Sequence, residues 1–399
     1  VGAIVLTDSQ PLYTFIMFST ADWAAPYWTN KQHIAERLAM RGHRVLYIES
    51  PGIRPPKINS RDLSRIFSRL KRAWFSPRKM RETLWVHAPL TIPLGHKSRI
   101  VLAFNGWLLR STIRKWLKRG GQKPTIIWTY HPYFDDAVRD LDVHSLVYHC
   151  VDDLASIPGV DSATFRKAEL NLLRHADIVF TTSPRLQEHC AAIVGKRSIY
   201  ERNVADLEHF SRARRAGDIP PELAAIEGLK LGYTGVLSEY KLDFALIEQC
   251  AKSRPNWNWV FIGDEPERQN SAVVARLGSL PNVHFLGYRT YERLPDYLRG
   301  IDIAVMPNLT SGYMSSVFPL KLYEYLAAGK PVISTSISAL ADMGDVISQV
   351  DGRDSWLSAI EATVESRPPP IPLEDPRIAE RSWDKRLDRM LERLTIADR

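Results

Sequence analysis

Lys321-Leu322-Tyr323-Glu324-Tyr325-Leu326-Ala327-Ala328-Gly329-Lys330-Pro331-Val332-Ile333 is the stretch on which the reading of this chain turns. It predicts a short helix with Pro319 at its first position, closed by Gly329 and Pro331 and followed by a β-branched strand. Lys321 and Glu324 stand three residues apart and so share one helix face near its start. A helix N-terminus with a lysine favours phosphate, and a carboxylate one turn on can accept both hydroxyls of a ribose. The pair describes a nucleotide-diphosphate site. An amphipathic helix with a surface lysine and glutamate is an equal reading of these residues alone.

Outward from this segment, strand-like and helix-like runs alternate, the pattern of parallel α/β sheets. In the first half the strands are expected at Tyr13–Ser19, Arg44–Glu49, Ile126–Tyr130, Leu146–Val151 and Ile178–Thr182. Between the first two, a helix is expected that is capped by Thr29, lined on one side by Ile34, Leu38 and Met40, and ended by Gly42. Residues 211–228 are charged, contain prolines and lack periodicity, which marks a linker. Strands resume at Leu229–Thr234, Trp259–Ile262, Val283–Leu286, Ile303–Met306 and Val332–Ser334. The expectation is an α/β chain of two Rossmann-like domains facing each other across a cleft, residues 1–210 and 229–375, with ligands at the carboxyl ends of the strands. A triple proline after Arg367 precedes a C-terminal segment, 376–399, whose amphipathic helix is expected from Ser382 to Leu394.

A length of 399 residues fits two domains, with the apolar and charged fractions of an ordinary globular protein. Cys150, Cys190 and Cys250 are scattered, offering neither a disulfide framework nor metal-ligand spacing, so a reducing compartment is expected. No signal peptide is visible, and the apolar Tyr13–Ser19 is far too short to span a bilayer. Charge is uneven. Between Arg54 and Arg119, 17 Lys and Arg face only Asp62 and Glu82, a local +15 that leaves −7 on the rest of a chain of net charge +8. Such an island suits an anionic membrane surface. Within it, Ser98–Arg119 sets Phe104, Trp107, Leu108 and Trp116 against Arg99, Arg110, Arg114 and Lys115, the composition of an interfacial helix. A helix packed on the sheet with a solvated basic face is the other reading. No nucleic-acid motif accompanies the island, so no nucleic-acid partner is expected.

The 316–333 segment resembles the donor-site signature of GT-B glycosyltransferases, above all family 4 and its relatives. Their pattern is a Glu, seven residues, a second Glu, small residues, then Gly-x-Pro-Val. Glu324, Gly329, Pro331 and Val332 match; Ser316 stands at the first Glu, which in family 4 holds donor-sugar hydroxyls, and Pro319 replaces a glycine. The resemblance continues in order over 229–335. Gly235 and Lys241 match a loop that approaches the donor diphosphate, although Val236 replaces its arginine. Gly263 matches a strand–Gly-x-Gly turn in which Glu265 replaces the second glycine. Tyr288 and Arg289 follow Gly287 in the loop that meets the base. By position, Ser316, Phe318, Pro319 and Leu320 complete the implied donor site with Lys321 and Glu324. No G-x-G-x-x-G follows either domain's first strand, which disfavours a dinucleotide dehydrogenase.

The first half looks like the glucuronosyltransferases of bacterial exopolysaccharide synthesis, of xanthan and teichuronic-acid type. In the xanthan type a Tyr-x-x-x-Asp ends a strand and its Asp is the catalytic base; Tyr148 and Asp152 fit. That group binds the nucleotide with a Lys and a Gln three apart, the places of Lys321 and Glu324. Ser19 to Asp22 matches its first-loop Ser-x-x-Asp. Asp22, His131 and Asp153 are the remaining acceptor-side candidates. Asp152 and Asp153 also read as caps of the following turn, Asp22 as a loop cap, and His131 as a strand-end histidine.

The resemblance implies an inverting, metal-independent glycosyltransferase with no cofactor. Its substrate would be a nucleotide-diphosphate sugar, UDP favoured over GDP, and its acceptor a saccharide, expected to be lipid-linked. The place implied is cytoplasmic, peripheral on the inner face of the cell membrane. The C-terminal helix would return to the first domain, as in other GT-B enzymes. A retaining family-4 transferase, a GT-B sugar-nucleotide epimerase and a non-catalytic GT-B binding partner stay open.

Overall fold

A computed structural model of the chain describes residues 12–50, 76–89, 99–121, 123–138, 140–265 and 271–397. The chain forms two compact units. One comprises residues 1–181, 189–199 and 392–399, the other 182–188 and 200–391.

The first unit is built on β1 (Thr14–Phe18), β2 (Arg44–Ile48), β3 (Arg78–Lys79), β4 (Leu84–His87), β5 (Thr125–Thr129), β6 (Ser145–Cys150), β7 (Ile178–Thr181) and β8 (Ser198–Tyr200). They lie in the order β3-β4-β2-β1-β5-β6-β7-β8. The strands from β4 to β7 pair in parallel, and β3 returns antiparallel along β4. Every residue of β1, β2 and β5 is buried, as expected of strands covered on both faces. The strand order reverses between β1 and β5, so the loops after these two strands flank the crevice where α/β sheets bind ligands.

In the second unit, β9 (Leu229–Thr234), β10 (Trp257–Ile262), β11 (Val283–Gly287), β12 (Ile303–Met306), β13 (Val332–Ser334) and β14 (Ser348–Gln349) form one parallel sheet. Its order is β11-β10-β9-β12-β13-β14, the Rossmann order, with the switch point between β9 and β12. One apolar layer gathers Leu231, Trp259, Phe261, Val305, Ile333 and Trp356. The other gathers Ala304, Met306, Phe318, Leu322, Tyr323 and Leu326, so the helix Lys321–Ala327 is anchored by its apolar face.

Three expectations are corrected. Residues 211–228 are not a free linker: they include the short helix Pro221–Ala224, and Leu223 and Ile226 pack with Val260, Ile262, Tyr297 and Ile301. Apolar side chains every few residues gave this segment a core to join, which its prolines and charges masked. The break between units falls near residue 200 rather than 210, and 182–188 groups with the second unit. The 321 helix starts at Lys321, with Leu320 as its cap and Pro319 outside it. The C-terminal helix runs Trp383–Ala397, and residues 392–399 group with the first unit.

Of the basic stretch 54–119, residues 54–75 and 90–98, including Arg61–Arg72, lie outside the described residues. The helix Arg99–Lys118 is described. It buries Ile113 and Trp116 and leaves Phe104 45% and Trp107 56% exposed. Its inner side is tied to β2, where the Arg44 guanidinium stacks 3.6 Å from the Trp116 ring and donates to Trp116 O at 2.5 Å. One side of the helix packs, while two aromatic rings face out. Among the described residues no helix is long and apolar enough to cross a membrane.

Candidate active site

In the second unit three glycines close the carboxyl ends of β9, β10 and β11. Gly235 N donates to Ile262 O at 2.9 Å, and Gly263 N donates to Gly287 O at 2.9 Å. The β10–β11 register shifts between Phe261 and Ile262 just before this turn, a bulge of the kind that re-aims backbone beside binding sites. Gly263 has φ +154°, and a Cβ there would stand 1.9 Å from Gly235 O. No other residue fits, because the two backbones are in direct contact.

Gly235 in turn meets the 321 helix. A Cβ on Gly235 (φ +137°) would lie 3.2 Å from Lys321 Cε and 3.3 Å from the Tyr233 hydroxyl. Lys321 Nζ donates to Glu324 Oε2 at 2.7 Å, with the lysine side chain 24% and the glutamate 10% exposed. The helix is held in this register by Tyr325, whose hydroxyl accepts from Thr234 N at 2.8 Å. Burial first, and the Glu324 carboxylate second, raise the Tyr233 phenol, so it stays a neutral hydroxyl. Gly235, Tyr233, Lys321 and Glu324 thus converge at the switch point, one ammonium and one carboxylate on a surface of bare backbone. Such a surface can take a phosphate on one side and vicinal hydroxyls on the other.

The other donor-side candidates are placed differently. The helix Lys321–Ala327 has seven residues, so the phosphate argument passes from its dipole to Lys321 and the glycine turn. Lys241 lies 5.6 Å from both the Tyr240 and Tyr313 rings, in an aromatic setting that holds its charge by cation–π attraction. Arg289 is committed to structure: it donates to Glu222 Oε1 at 3.0 Å and to the Tyr297 hydroxyl. Tyr288 is 36% exposed. Phe318 is a packing residue, its ring stacked on Tyr323 and its carbonyl accepting from Asn203 Nδ2 at 2.7 Å. Ser316 is buried and its carbonyl accepts from Ser183 Oγ at 2.7 Å; Pro319 is buried and Leu320 half-buried beside it.

In the first unit Asp152 follows β6, and its carboxylate lies 3.4 Å from Lys31 Nζ. Lys31 is in the helix Asn30–Met40, its side chain 8% exposed against 23% for Asp152, with the ammonium 5.8 Å from the Tyr130 ring. Sequence spacing gave Lys31 no role, since its partner is 121 residues away. Asp153 is engaged within its own unit: Arg166 takes one carboxylate oxygen at 2.5 Å and Ser156 Oγ the other at 2.5 Å. Tyr148, the first member of the Tyr-x-x-x-Asp, is buried and donates to Glu169 at 2.8 Å, so it braces the strand end. Asp22 sits in the loop after β1, its carbonyl accepting from Gln32 Nε2 at 3.1 Å.

His131 follows β5 across the switch point from that loop. It is buried, its Nδ1 accepts from Tyr133 N at 3.1 Å, and its Nε2 has no hydrogen-bond partner among the described residues. Burial lowers its pKa to about 4, so it is a neutral imidazole with the proton on Nε2.

Residues 228–365 match the family of glycosyl transferases group 1. A 229-residue stretch is 35% identical to TuaH of Bacillus subtilis (strain 168), provisionally named a teichuronic acid biosynthesis glycosyltransferase. That stretch is 54% of this chain and 57% of the relative, so the likeness spans little more than half of TuaH. Sucrose-phosphate synthase from Thermosynechococcus elongatus superimposes with a TM-score of 0.65 at 18% identity, over 97% of this chain and 96% of that one. Anabaena HepE in complex with UDP-glucose gives 0.63 at 16% identity, over 96% and 99%. At these identities the likeness establishes the fold, which is GT-B.

Proposed function

We propose that this chain, GT-B in fold and with a glycosyl transferases group 1 domain over residues 228–365, moves a sugar from a nucleoside-diphosphate sugar onto a saccharide acceptor. The observation that carries the reading is the convergence of Gly235, Gly263, Lys321 and Glu324 at the β9–β12 switch point. The diphosphate would meet Lys321 and the glycine backbone, and the ribose would meet Glu324. UDP is favoured over GDP because HepE, which shares the fold, was solved with UDP-glucose.

Asp152 would act as general base. It takes the proton of the acceptor hydroxyl as that oxygen bonds to the anomeric carbon. The bond from that carbon to the diphosphate breaks, and its electron pair leaves with UDP, giving an inverted product. Lys321 and Lys241 would offset the charge growing on the leaving group. The acceptor is proposed to be lipid-linked and the protein peripheral on an anionic membrane, on the support of the charge of the 54–119 stretch and the outward Phe104 and Trp107.

A thermal-shift panel of UDP-, GDP- and ADP-sugars tests the donor, since a ligand bound only by the folded state raises the melting temperature. Selective stabilisation by a UDP-sugar is expected. A sugar-nucleotide that releases UDP equally well with and without acceptor would point to the epimerase reading instead.

A further inference from the structure

We infer that Arg166 is a positioning residue for Asp152, clipping the loop after β6 to the helix Ser162–His175 through the neighbouring Asp153. The inference rests on the reading of Asp152 as the general base. Arg166 uses its fork on two carboxylates at once: one guanidinium nitrogen lies 2.5 Å from Asp153 Oδ1 and another 2.8 Å from Glu169 Oε2. Its planar fork gives each carboxylate a nitrogen of its own, which the single ammonium of a lysine would not.

The anchor behind it is firm. The Glu169 side chain is 2% exposed and also accepts from the Tyr148 hydroxyl at 2.8 Å, with His189 Nε2 at 3.3 Å. Burial pushes the Glu169 carboxyl up, yet His189, Tyr148 and Arg166 outweigh it and hold the group below its ordinary value. The carboxylate is therefore ionised, and Arg166 is bound to a fixed charge.

Asp152 and Asp153 are consecutive and tethered to different helices. Asp153 is held by Arg166, while Asp152 reaches Lys31 on the helix Asn30–Met40. The turn between them and Ser156 is closed by Leu154 N donating to Asp152 O at 3.0 Å. Loss of the Arg166 contact removes one tether of this turn, so the base can drift from its place. A displacement of about 1 Å at a reacting group costs on the order of a hundredfold in rate.

The test compares Arg166→Gln and Asp153→Asn with the parent protein. The second variant keeps the Arg166–Glu169 pair, so it tests the clip should the first fail to fold. In the crystal structure of either variant the Lys31–Asp152 separation should depart from 3.4 Å; an unmoved pair overturns the inference. Acceptor-dependent UDP release from UDP-glucose should fall by about a hundredfold for Arg166→Gln, with the KM for UDP-glucose within about twofold. In an Asp152→Asn background the same substitution should cost almost nothing more, because it acts through Asp152. A full additional loss there would overturn the inference. Unchanged UDP release by Asp152→Asn alone, with the loop still displaced in Arg166→Gln, would remove the base reading while leaving the clip intact.

Discussion

Lys321 Nζ and Glu324 Oε2 are 2.7 Å apart, so the two groups that the sequence offers to a nucleotide are also each other's partners. A one-turn ion pair on an exposed helix is worth only a few tenths of a kcal/mol. This one stands against Gly235, where a Cβ would meet Lys321 Cε at 3.2 Å and the Tyr233 hydroxyl at 3.3 Å. A diphosphate and a ribose would find both polarities preset at one spot.

Lys321→Ala and Glu324→Ala should each weaken UDP binding by roughly ten- to a hundredfold, since charge-assisted hydrogen bonds contribute about 1.5–3 kcal/mol. The double variant should lose less than the sum, because the side chains touch. Calorimetric titration with UDP reads both effects. Affinity unchanged in either single variant would remove the helix from the site.

Gly263→Ala should abolish UDP binding and lower the melting temperature, because its Cβ would enter the Gly235 carbonyl at 1.9 Å. Backbone cannot yield there as a flexible side chain would. Gly344→Ala, where a Cβ meets nothing within 4 Å, is the matched control and should leave both unchanged.

Asp152→Asn should cut turnover by about 10²–10⁴ while leaving UDP affinity intact, the range of general-base catalysis. Proton NMR of the product linkage checks the stereochemistry separately. A product that keeps the donor's anomeric configuration would sink the inverting mechanism.

Acidification should destabilise the fold through His43, His87 and His131. Burial lowers each to about 4 from 6.5, aided at His43 by Arg41 and Lys123. Between those values the unfolded chain takes up protons that the folded chain excludes, so stability falls as pH drops through 6.5 toward 4. Each group contributes up to about 1.4 kcal/mol per pH unit. The melting temperature should therefore decline from pH 7 to pH 5, less steeply in His87→Gln; a flat profile would refute the assignment.

Phe104→Ala with Trp107→Ala should reduce co-sedimentation with anionic liposomes. Binding to the parent protein should rise with anionic lipid and fall with salt, at about 1 kcal/mol per basic residue near the surface. Indifference to lipid charge, salt and both rings would leave the helix Arg99–Lys118 a packing element alone.

The sequence by itself determined the α/β class, most of the strands and the glycine landmarks of the second unit. Buried parallel strands announce themselves as short β-branched runs, and a turn that needs bare backbone can only be written with glycine. It also put Lys321 and Glu324 on one face, because helical periodicity is local. Where local cues conflicted, the reading failed: prolines and charges made 211–228 look like a linker, although Leu223 and Ile226 belong to the core.

Tertiary structure alone decided which candidates are free to meet a substrate. Asp153, Arg289 and Phe318 read as ligands in the sequence, and in the fold each has a partner from another segment, namely Arg166, Glu222 and Asn203. Lys31 and Tyr325 were given no role by the sequence and are placed by partners 121 and 91 residues away. A charge or hydroxyl shows its type in the sequence, but whether its bonding capacity is already taken depends on what the fold brings beside it.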